Sequence, residues 1–180
     1  MNINTAIELI KKLHEGQFEK GGGPYWHHPV SVMEGLLPDA NDEDRIIALF
    51  HDAPEDCSGH DWVRAKALVE EHPFSDYEKR GILLLTRIEG QYLHHETMEI
   101  TSGSYMDYIR NIMASGHYGA IIGKYSDNLR NSDPARHALI TDAAEREKME
   151  SMAAGRYARA REIIEAELAH WKGRTRAQVS

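Results

Sequence analysis

The sequence lacks a second cysteine, a long apolar run and an excess of basic residues. Its single cysteine, Cys57, cannot form an internal disulfide, which favours a reducing, cytoplasmic location. No apolar run approaches the roughly 18 residues that a membrane-spanning helix needs, and the N-terminus shows no export-signal pattern. The net charge of −8 argues against a nucleic-acid partner, because nucleic-acid-binding proteins carry a basic face. We therefore expect a cytoplasmic protein with neither nucleic acid nor membrane as a partner.

What remains is an ordinary globular composition with helical patterning. Hydrophobic residues make up 41% of the 180 residues, which is enough for one domain with a buried core. Alternating strand patterns are nearly absent, whereas apolar residues recur at helical spacing. We predict an all-α fold in a single domain, 1–180, with the motif-bearing part in 5–135 and a closing scaffold helix at about 142–170.

Apolar spacing and end signals predict the individual helices. Asn41 and Ser104 are suitable N-caps, and Pro54 should end or kink the helix before it. The segment 91–103 is predicted as a polar connection. The predicted helices are 4–15, one from near residue 29, 42–52, 60–70, 75–87, 104–113 and 117–131.

The dipeptide His51-Asp52 directly follows the apolar stretch DRIIALF. Burying an unpaired aspartate costs several kcal/mol, so Asp52 needs a partner, and a divalent cation is one candidate. The alternative for an isolated pair of this kind is a capping aspartate beside a core histidine.

Two further side chains strengthen the metal interpretation. His28 begins a helix after a glycine-rich loop, and Asp127 comes late in an apolar helix. With His51 and Asp52 they form a set of two imidazoles and two carboxylates, which suits Mn²⁺, Fe²⁺ or Zn²⁺. Four protein ligands would leave positions for water and substrate, as hydrolytic metal sites require.

Glu55 and Asp56 follow about one helical turn after this pair. A carboxylate near a metal-activated water can orient the water or accept its proton, so both residues are candidate catalytic groups. The alternative is an acidic helix end in solvent, and Pro54 interrupts the backbone between the two pairs.

Four motifs occur in the order HEGQ at 14–17, KGGGPYWHHPV at 20–30, ALFHDAPED at 48–56 and KYSDNLRN at 124–131. Together they resemble the hydrolase domain of the RelA/SpoT alarmone enzymes, an HD-fold family. They are closer still to short stand-alone HD proteins related to that domain. The resemblance extends over about residues 5–135.

The resemblance implies an HD-type helical fold of about ten helices around one metal site. It implies that Mn²⁺ is held by the residues that match the family's metal ligands, and that the substrate is a small anionic nucleotide. The implied reaction removes the 3′-diphosphate of guanosine 3′,5′-bis(diphosphate) and releases pyrophosphate. The implied ligands are His28, His51, Asp52 and Asp127, and the implied water-assisting pair is Glu55 and Asp56.

The resemblance also implies substrate contacts for Lys20 and Asn131, and on this interpretation Lys124 and Arg130 would neutralise phosphate charge. One departure concerns recognition of the nucleotide base. Glu19 occupies the position at which the long alarmone enzymes usually have an arginine that stacks on guanine. Two alternatives to an alarmone hydrolase therefore remain. One is an HD phosphatase for another nucleotide or phosphorylated metabolite, and the other is a non-catalytic nucleotide-binding module.

Overall fold

A computed structural model describes residues 1–171, and most of them are helical. Residues 172–180 of the predicted domain lie outside the described part. The prediction of a mostly helical fold is confirmed. The helices are α1 (Ile3–Leu13), α2 (His27–Glu34), α3 (Asp42–Leu49), α4 (Ala53–Asp56), α5 (Trp62–Glu71), α6 (Asp76–Leu85), α7 (Tyr105–Ala114), α8 (Tyr118–Asn131), α9 (Pro134–His137), α10 (Ala143–Met152) and α11 (Ala158–Trp171).

A small antiparallel sheet corrects the all-α prediction. Its strands are β1 (Arg87–Ile88), β2 (Gln91–Leu93) and β3 (Ile100–Ser102), in the order β1-β2-β3. The segment predicted as a polar connection contains β2 and β3. Strands of two or three residues are too short to display the alternating pattern by which a strand is recognised, so the sequence offered no signal for them.

Side chains at the helix starts explain several of the boundaries. Asn41 caps α3, and its Oδ1 accepts a hydrogen bond from the Asp44 backbone N–H at 2.9 Å. Ser104 caps α7 in the same reciprocal arrangement with Asp107. Both predicted N-caps are confirmed, and they satisfy N–H groups that a helix start leaves unpaired.

The break between α3 and α4 sets the position of the HD pair. The predicted helix 42–52 ends earlier, at Leu49, and Pro54 lies in the first turn of the short helix α4. Proline is well suited to a first turn because it has no N–H to leave unpaired. His51 and Asp52 therefore lie in the turn between the two helices.

Helix α3 is central, and α2, α6 and α8 pack against it. Two glycines allow this close approach. A Cβ at Gly81 of α6 would lie 2.6 Å from Ile47 Cδ1, and one at Gly119 of α8 would lie 2.8 Å from the same atom. The main hydrophobic cluster extends from Ala6 to Ile164, so α1 and α11 share one core with α3.

The C-terminal helix is interrupted, contrary to the prediction of one scaffold helix at 142–170. A five-residue π-helical turn, Ala153–Tyr157, separates α10 from α11. The buried amide of Asn128 donates to the Tyr157 carbonyl at 3.0 Å, which ties the turn to α8. None of the helices in residues 1–171 is long and apolar enough to cross a membrane.

Candidate metal centre

The structure brings the four predicted metal ligands together. Nε2 of His28 lies 3.4 Å from Asp52 Oδ2 and 3.4 Å from Asp127 Oδ1. Nε2 of His51 lies 3.0 Å from Asp52 Oδ2 and 3.5 Å from Asp127 Oδ1. Ligand atoms of His28, His51 and Asp127 lie within 4.8 Å of one another, and all three side chains are buried. Asp52 Oδ2 contacts both histidines but lies outside this compact group of three.

Three separate elements deliver these side chains. His28 is in the first turn of α2, His51 and Asp52 lie between α3 and α4, and Asp127 is on α8. Nδ1 of His51 lies 2.7 Å from the Ala48 carbonyl oxygen, which can only accept a hydrogen bond. The Nδ1–H therefore donates to it, so that whenever the ring is neutral its lone pair is on Nε2, facing the cluster.

The cluster fits a divalent cation on three counts. The buried Nε2 of His51 makes no well-directed hydrogen bond within residues 1–171, although Asp52 Oδ2 lies 3.0 Å from it. Neighbouring ligands of a cation with bonds of about 2.1 Å are about 3.0 Å apart in an octahedron and about 3.4 Å apart in a tetrahedron. The four observed separations between a histidine nitrogen and an aspartate oxygen, 3.0–3.5 Å, are close to those values. Imidazole and carboxylate are also the ligands that Mn²⁺, Fe²⁺ and Zn²⁺ share.

The electrostatics of the cluster favour added positive charge. Burial alone would lower the pKa of His51, but the charges of Asp52 and Asp127 outweigh it and raise that pKa to about 10. Burial would likewise raise the pKa of Asp52, but His51 and His28 hold it well below its usual range. Both carboxylates are therefore ionised at neutral pH, and the site attracts protons or a cation.

Two residues that were predicted to contact the substrate, Lys124 and Asn131, form hydrogen bonds with Asp127. Lys124 Nζ donates to Oδ2 of Asp127 at 2.7 Å, and Asn131 Nδ2 donates to Oδ1 at 2.5 Å. Burial would lower the pKa of Lys124, but Asp127 outweighs it and raises that pKa well above its ordinary value. Both residues also line the cavity beside the cluster. They orient Asp127 and can face a ligand as well.

The acidic pair Glu55 and Asp56 lines the same cavity. Burial, then the charges of Asp52 and Asp56, raises the pKa of Glu55 to about 7. The pKa of Asp56 is also raised, first by burial and then by Asp52. These residues belong to the cavity wall, unlike the solvent-exposed helix end that was the alternative. A carboxyl group with a pKa near neutrality is suited to proton transfer.

Tyr25 is a site residue that the sequence reasoning did not identify. Its hydroxyl donates to Asp52 Oδ2 at 2.7 Å. Burial, then the negative charge of Asp52, raises its pKa, so the hydroxyl keeps its proton. The available signal was its place in the PYWHHP motif, three residues before His28.

A cavity of about 460 Å³ opens over the cluster, within the size range of small-ligand sites. We call the lining residues around the cluster the floor, and those contributed by the loop at 18–21, by α9, by α10 and by the π-helical turn the mouth. The floor comprises His28, Asp52, Glu55, Asp56, Lys124 and Asp127. The mouth comprises Phe18, Glu19, Lys20, Gly21, Arg136, Met149, Met152 and Tyr157. The π-helical turn and α10 thus contribute to the cavity wall in addition to their predicted scaffold role.

The mouth is held by side-chain pairs between distant parts of the chain. Glu19 Oε2 accepts a hydrogen bond from Arg136 Nε at 3.0 Å. Lys20 Nζ contacts Glu145 and lies 3.4 Å from the sulfur of Met149. The carboxylate of Glu19 is therefore neutralised by a guanidinium from another element.

Arg130 is the predicted substrate contact that the structure does not bring to the cavity. Its Nε donates to Ser31 Oγ at 3.0 Å, and Nη1 lies 3.7 Å from Asp133. Arg130 does not line the cavity, whereas Arg136 of α9 does. The sequence reasoning missed Arg136 because only the backbone turn after α8 brings α9 back over the site.

Comparisons with known proteins assign no family. No family model matches the chain, and a search of curated proteins found no significant match. The fold and the geometry of the cavity are therefore the basis for a functional proposal.

Proposed function

We propose that this protein is a metal-dependent phosphohydrolase of the HD type. Its substrate on this proposal is an alarmone-like nucleotide, from which it removes the 3′-diphosphate. The proposed metal is Mn²⁺, with Fe²⁺ or Zn²⁺ as the other candidates that the ligand set suits. The proposal builds on the motif resemblance together with the geometry of the floor.

One observation carries the proposal. Nε2 of His28 and Nε2 of His51 each lie 3.0–3.5 Å from carboxylate oxygens of Asp52 and Asp127, at the floor of an open cavity. Two ionised aspartates, one buried and one partly buried, are costly unless cations compensate them. A divalent cation would compensate this charge and would bind Nε2 of His51, which makes no well-directed hydrogen bond within residues 1–171.

The side chains of the floor supply the remaining parts of a hydrolytic site. A bound divalent cation would supply Lewis-acid chemistry to the phosphate and to the attacking water. Glu55 accepts the proton of that water, and Asp56 orients the water. The water oxygen bonds to the phosphorus attached to the 3′ oxygen, and the bond between that phosphorus and the 3′ oxygen breaks. The departing 3′ oxygen takes up the proton that Glu55 accepted, so the products are pyrophosphate and a nucleotide with a free 3′-hydroxyl. Lys124 and Asn131 hold Asp127 in place.

The pair of Glu19 with Arg136 favours a second candidate. The position expected to provide a stacking arginine for guanine provides a carboxylate instead, which already binds Arg136. A different base, or a phosphorylated metabolite without a base, would not need that stacking contact. The second candidate is therefore an HD phosphatase that uses the same floor on another phosphate ester.

A substrate panel tests the proposal. Purified protein with Mn²⁺ is offered guanosine and adenosine 3′,5′-bis(diphosphates), NADPH and deoxynucleoside triphosphates, and the released phosphate species are identified. We expect pyrophosphate from the bis(diphosphates). Release of orthophosphate alone supports the second candidate. If no phosphate is released from any compound, both hydrolase proposals fail, and nucleotide binding without turnover then indicates a non-catalytic module.

A further inference from the structure

Arg136 is a positively charged residue of the cavity wall. Neither the motifs nor the proposed chemistry assigns it a role. Its side chain is mostly buried, with 21% of its surface exposed. Nε donates to Glu19 at 3.0 Å, and Nη1 donates to Asn131 Oδ1 at 2.6 Å. A guanidinium carries five N–H donors, and these two bonds use two of them.

The two anchoring bonds fix the plane of the guanidinium. Within the part of the chain that the structure describes, Nη2 makes no hydrogen bond to the protein. A planar fork with free N–H groups that is already ordered is suited to bidentate binding of a phosphate. Lys20 and Lys124 are less available, because each is paired with a carboxylate and carries only three donors.

The distance of Arg136 from the floor suits a second phosphate. Asn131 lies between Arg136 and Asp127, because it donates a hydrogen bond to Asp127 at 2.5 Å and accepts one from Arg136 at 2.6 Å. With the width of one amide group, the guanidinium lies at most about 7 Å from the Asp127 carboxylate. A phosphate at the floor and a second phosphate on the same sugar can span that separation.

We propose that Arg136, oriented by Glu19 and Asn131, binds a second phosphate group of the ligand, so that the cavity selects doubly over singly phosphorylated nucleotides. This inference rests on the proposed function, because it places the first phosphate at the floor. It assigns Glu19 a positioning role in place of a direct contact with the base.

The test compares two probes that differ only in the second phosphate, adenosine 3′,5′-bisphosphate and adenosine 3′-monophosphate. Each is titrated as an inhibitor of the hydrolysis found with the substrate panel, in the presence of Mn²⁺. If the panel shows no hydrolysis, the proposed function fails. Calorimetry with the same probes and Mn²⁺ then measures affinity without turnover, so the two failures are distinguishable.

We expect the wild-type protein to bind the bisphosphate at least about tenfold more tightly than the monophosphate, the scale of a charged hydrogen-bonded contact. Arg136→Gln should lose most of that ratio. Arg136→Lys, which keeps the charge but not the fork, should retain part of it. Arg110→Gln is the matched control, because Arg110 is an exposed arginine on α7 that pairs with Asp107 at the surface. It should keep the full ratio.

Two results would overturn the inference. One is an unchanged ratio in Arg136→Gln, whether or not the affinity for both probes falls equally. The other is weaker Mn²⁺ binding in Arg136→Gln, because that would make Arg136 a support for Asp127 through Asn131. Circular dichroism of each variant confirms that the ratio is measured on folded protein.

Discussion

The floor of the cavity is built by packed helices, whereas its mouth is built by a loop and the C-terminal segments. At the floor, His28 and Asp127 are almost fully buried on α2 and α8, which both pack against α3. At the mouth, Phe18 is 69% exposed and Lys20 is held mainly by its contact with Glu145. The difference indicates that helix packing holds the floor and that polar pairs hold the mouth.

The largest expected effect comes from removing a proposed ligand at the floor. His51→Ala deletes one of the two imidazole nitrogens and should abolish both bound Mn²⁺ and hydrolysis. The loss of metal affinity and activity should exceed the 10- to 100-fold that is typical when a residue that hydrogen-bonds to a metal ligand is replaced. Metal analysis after dialysis and initial rates measure it. His170→Ala, at an exposed position of α11, is the control. Full metal content in His51→Ala would refute the proposed centre.

Glu55→Gln separates chemistry from metal binding at the floor. The amide has the size of the carboxyl group but cannot accept the proton of water. We expect Mn²⁺ content to be unchanged and kcat to fall by about 10²-fold or more. Glu96→Gln, at an exposed position, is the matched control. A wild-type rate in Glu55→Gln would show that another group accepts the proton.

Tyr25→Phe tests a hydrogen bond that joins the loop before α2 to the floor. The variant keeps the ring and removes the hydroxyl that donates to Asp52. Because that hydroxyl orients a proposed ligand, we expect Mn²⁺ affinity to fall by about tenfold. Titration of metal-free protein with Mn²⁺ measures the change. Unaltered affinity would mean that the helices alone position Asp52.

Two glycine substitutions compare the packing behind the floor with that of the mouth. At Gly81, an added Cβ would lie 2.6 Å from Ile47 Cδ1 and 2.8 Å from His117 Cε1. Gly81→Ala should lower the free energy of unfolding by about 1–3 kcal/mol. Gly155 of the π-helical turn has nothing within 4 Å. Gly155→Ala should be neutral or stabilising by up to about 1 kcal/mol. Urea unfolding measures both, and equal losses would contradict the proposed difference.

The smallest expected effect is a pH dependence at the start of α8. Burial lowers the pKa of His117 below its ordinary value of 6.5. Nδ1 accepts from the Ala120 N–H, and Nε2 donates to the Tyr77 carbonyl, so the neutral ring satisfies both contacts. Below the ordinary pKa the unfolded chain gains a proton that the folded state does not take up, so the free energy of unfolding falls as pH falls.

His117→Asn keeps an N-cap side chain and removes this titration. The decrease in the free energy of unfolding from about pH 7.5 to about pH 5.5 should therefore be smaller in the variant than in the wild type. Urea unfolding at the two pH values measures the difference. A decrease of the same size in both proteins would assign the acid sensitivity to another group.

Local patterns in the sequence were sufficient to find the side chains that meet at the floor. His51, Asp52 and Asp127 each follow or end an apolar helical stretch, and such stretches pack together in the core. Pro54 marked the end of α3, although the helix stops a few residues earlier than predicted. These features depend on spacing within one turn or one helix, which the sequence displays directly.

The mouth could not be predicted in the same way. Glu19 and Arg136 meet across 117 positions of the chain, and Lys20 and Glu145 meet across 125. No local pattern marks such pairs, because they arise only when α9 and α10 fold back over the loop. The π-helical turn also has no sequence signature beyond Gly155 in a run of good helix formers.

The π-helical turn allows α10 to face the ligand cavity while α11 faces the main core. In a continuous α-helix, residues 11 positions apart point in directions that differ by only about 20°, so Met149 and Ala160 would share a face. One additional residue in the turn rotates α11 by about 100° relative to α10. Met149 can then line the ligand cavity while Ala160 and Ile164 remain in the main core. Removing a single residue there would restore a continuous α-helix and turn Ala160 and Ile164 by about 100° away from the main core.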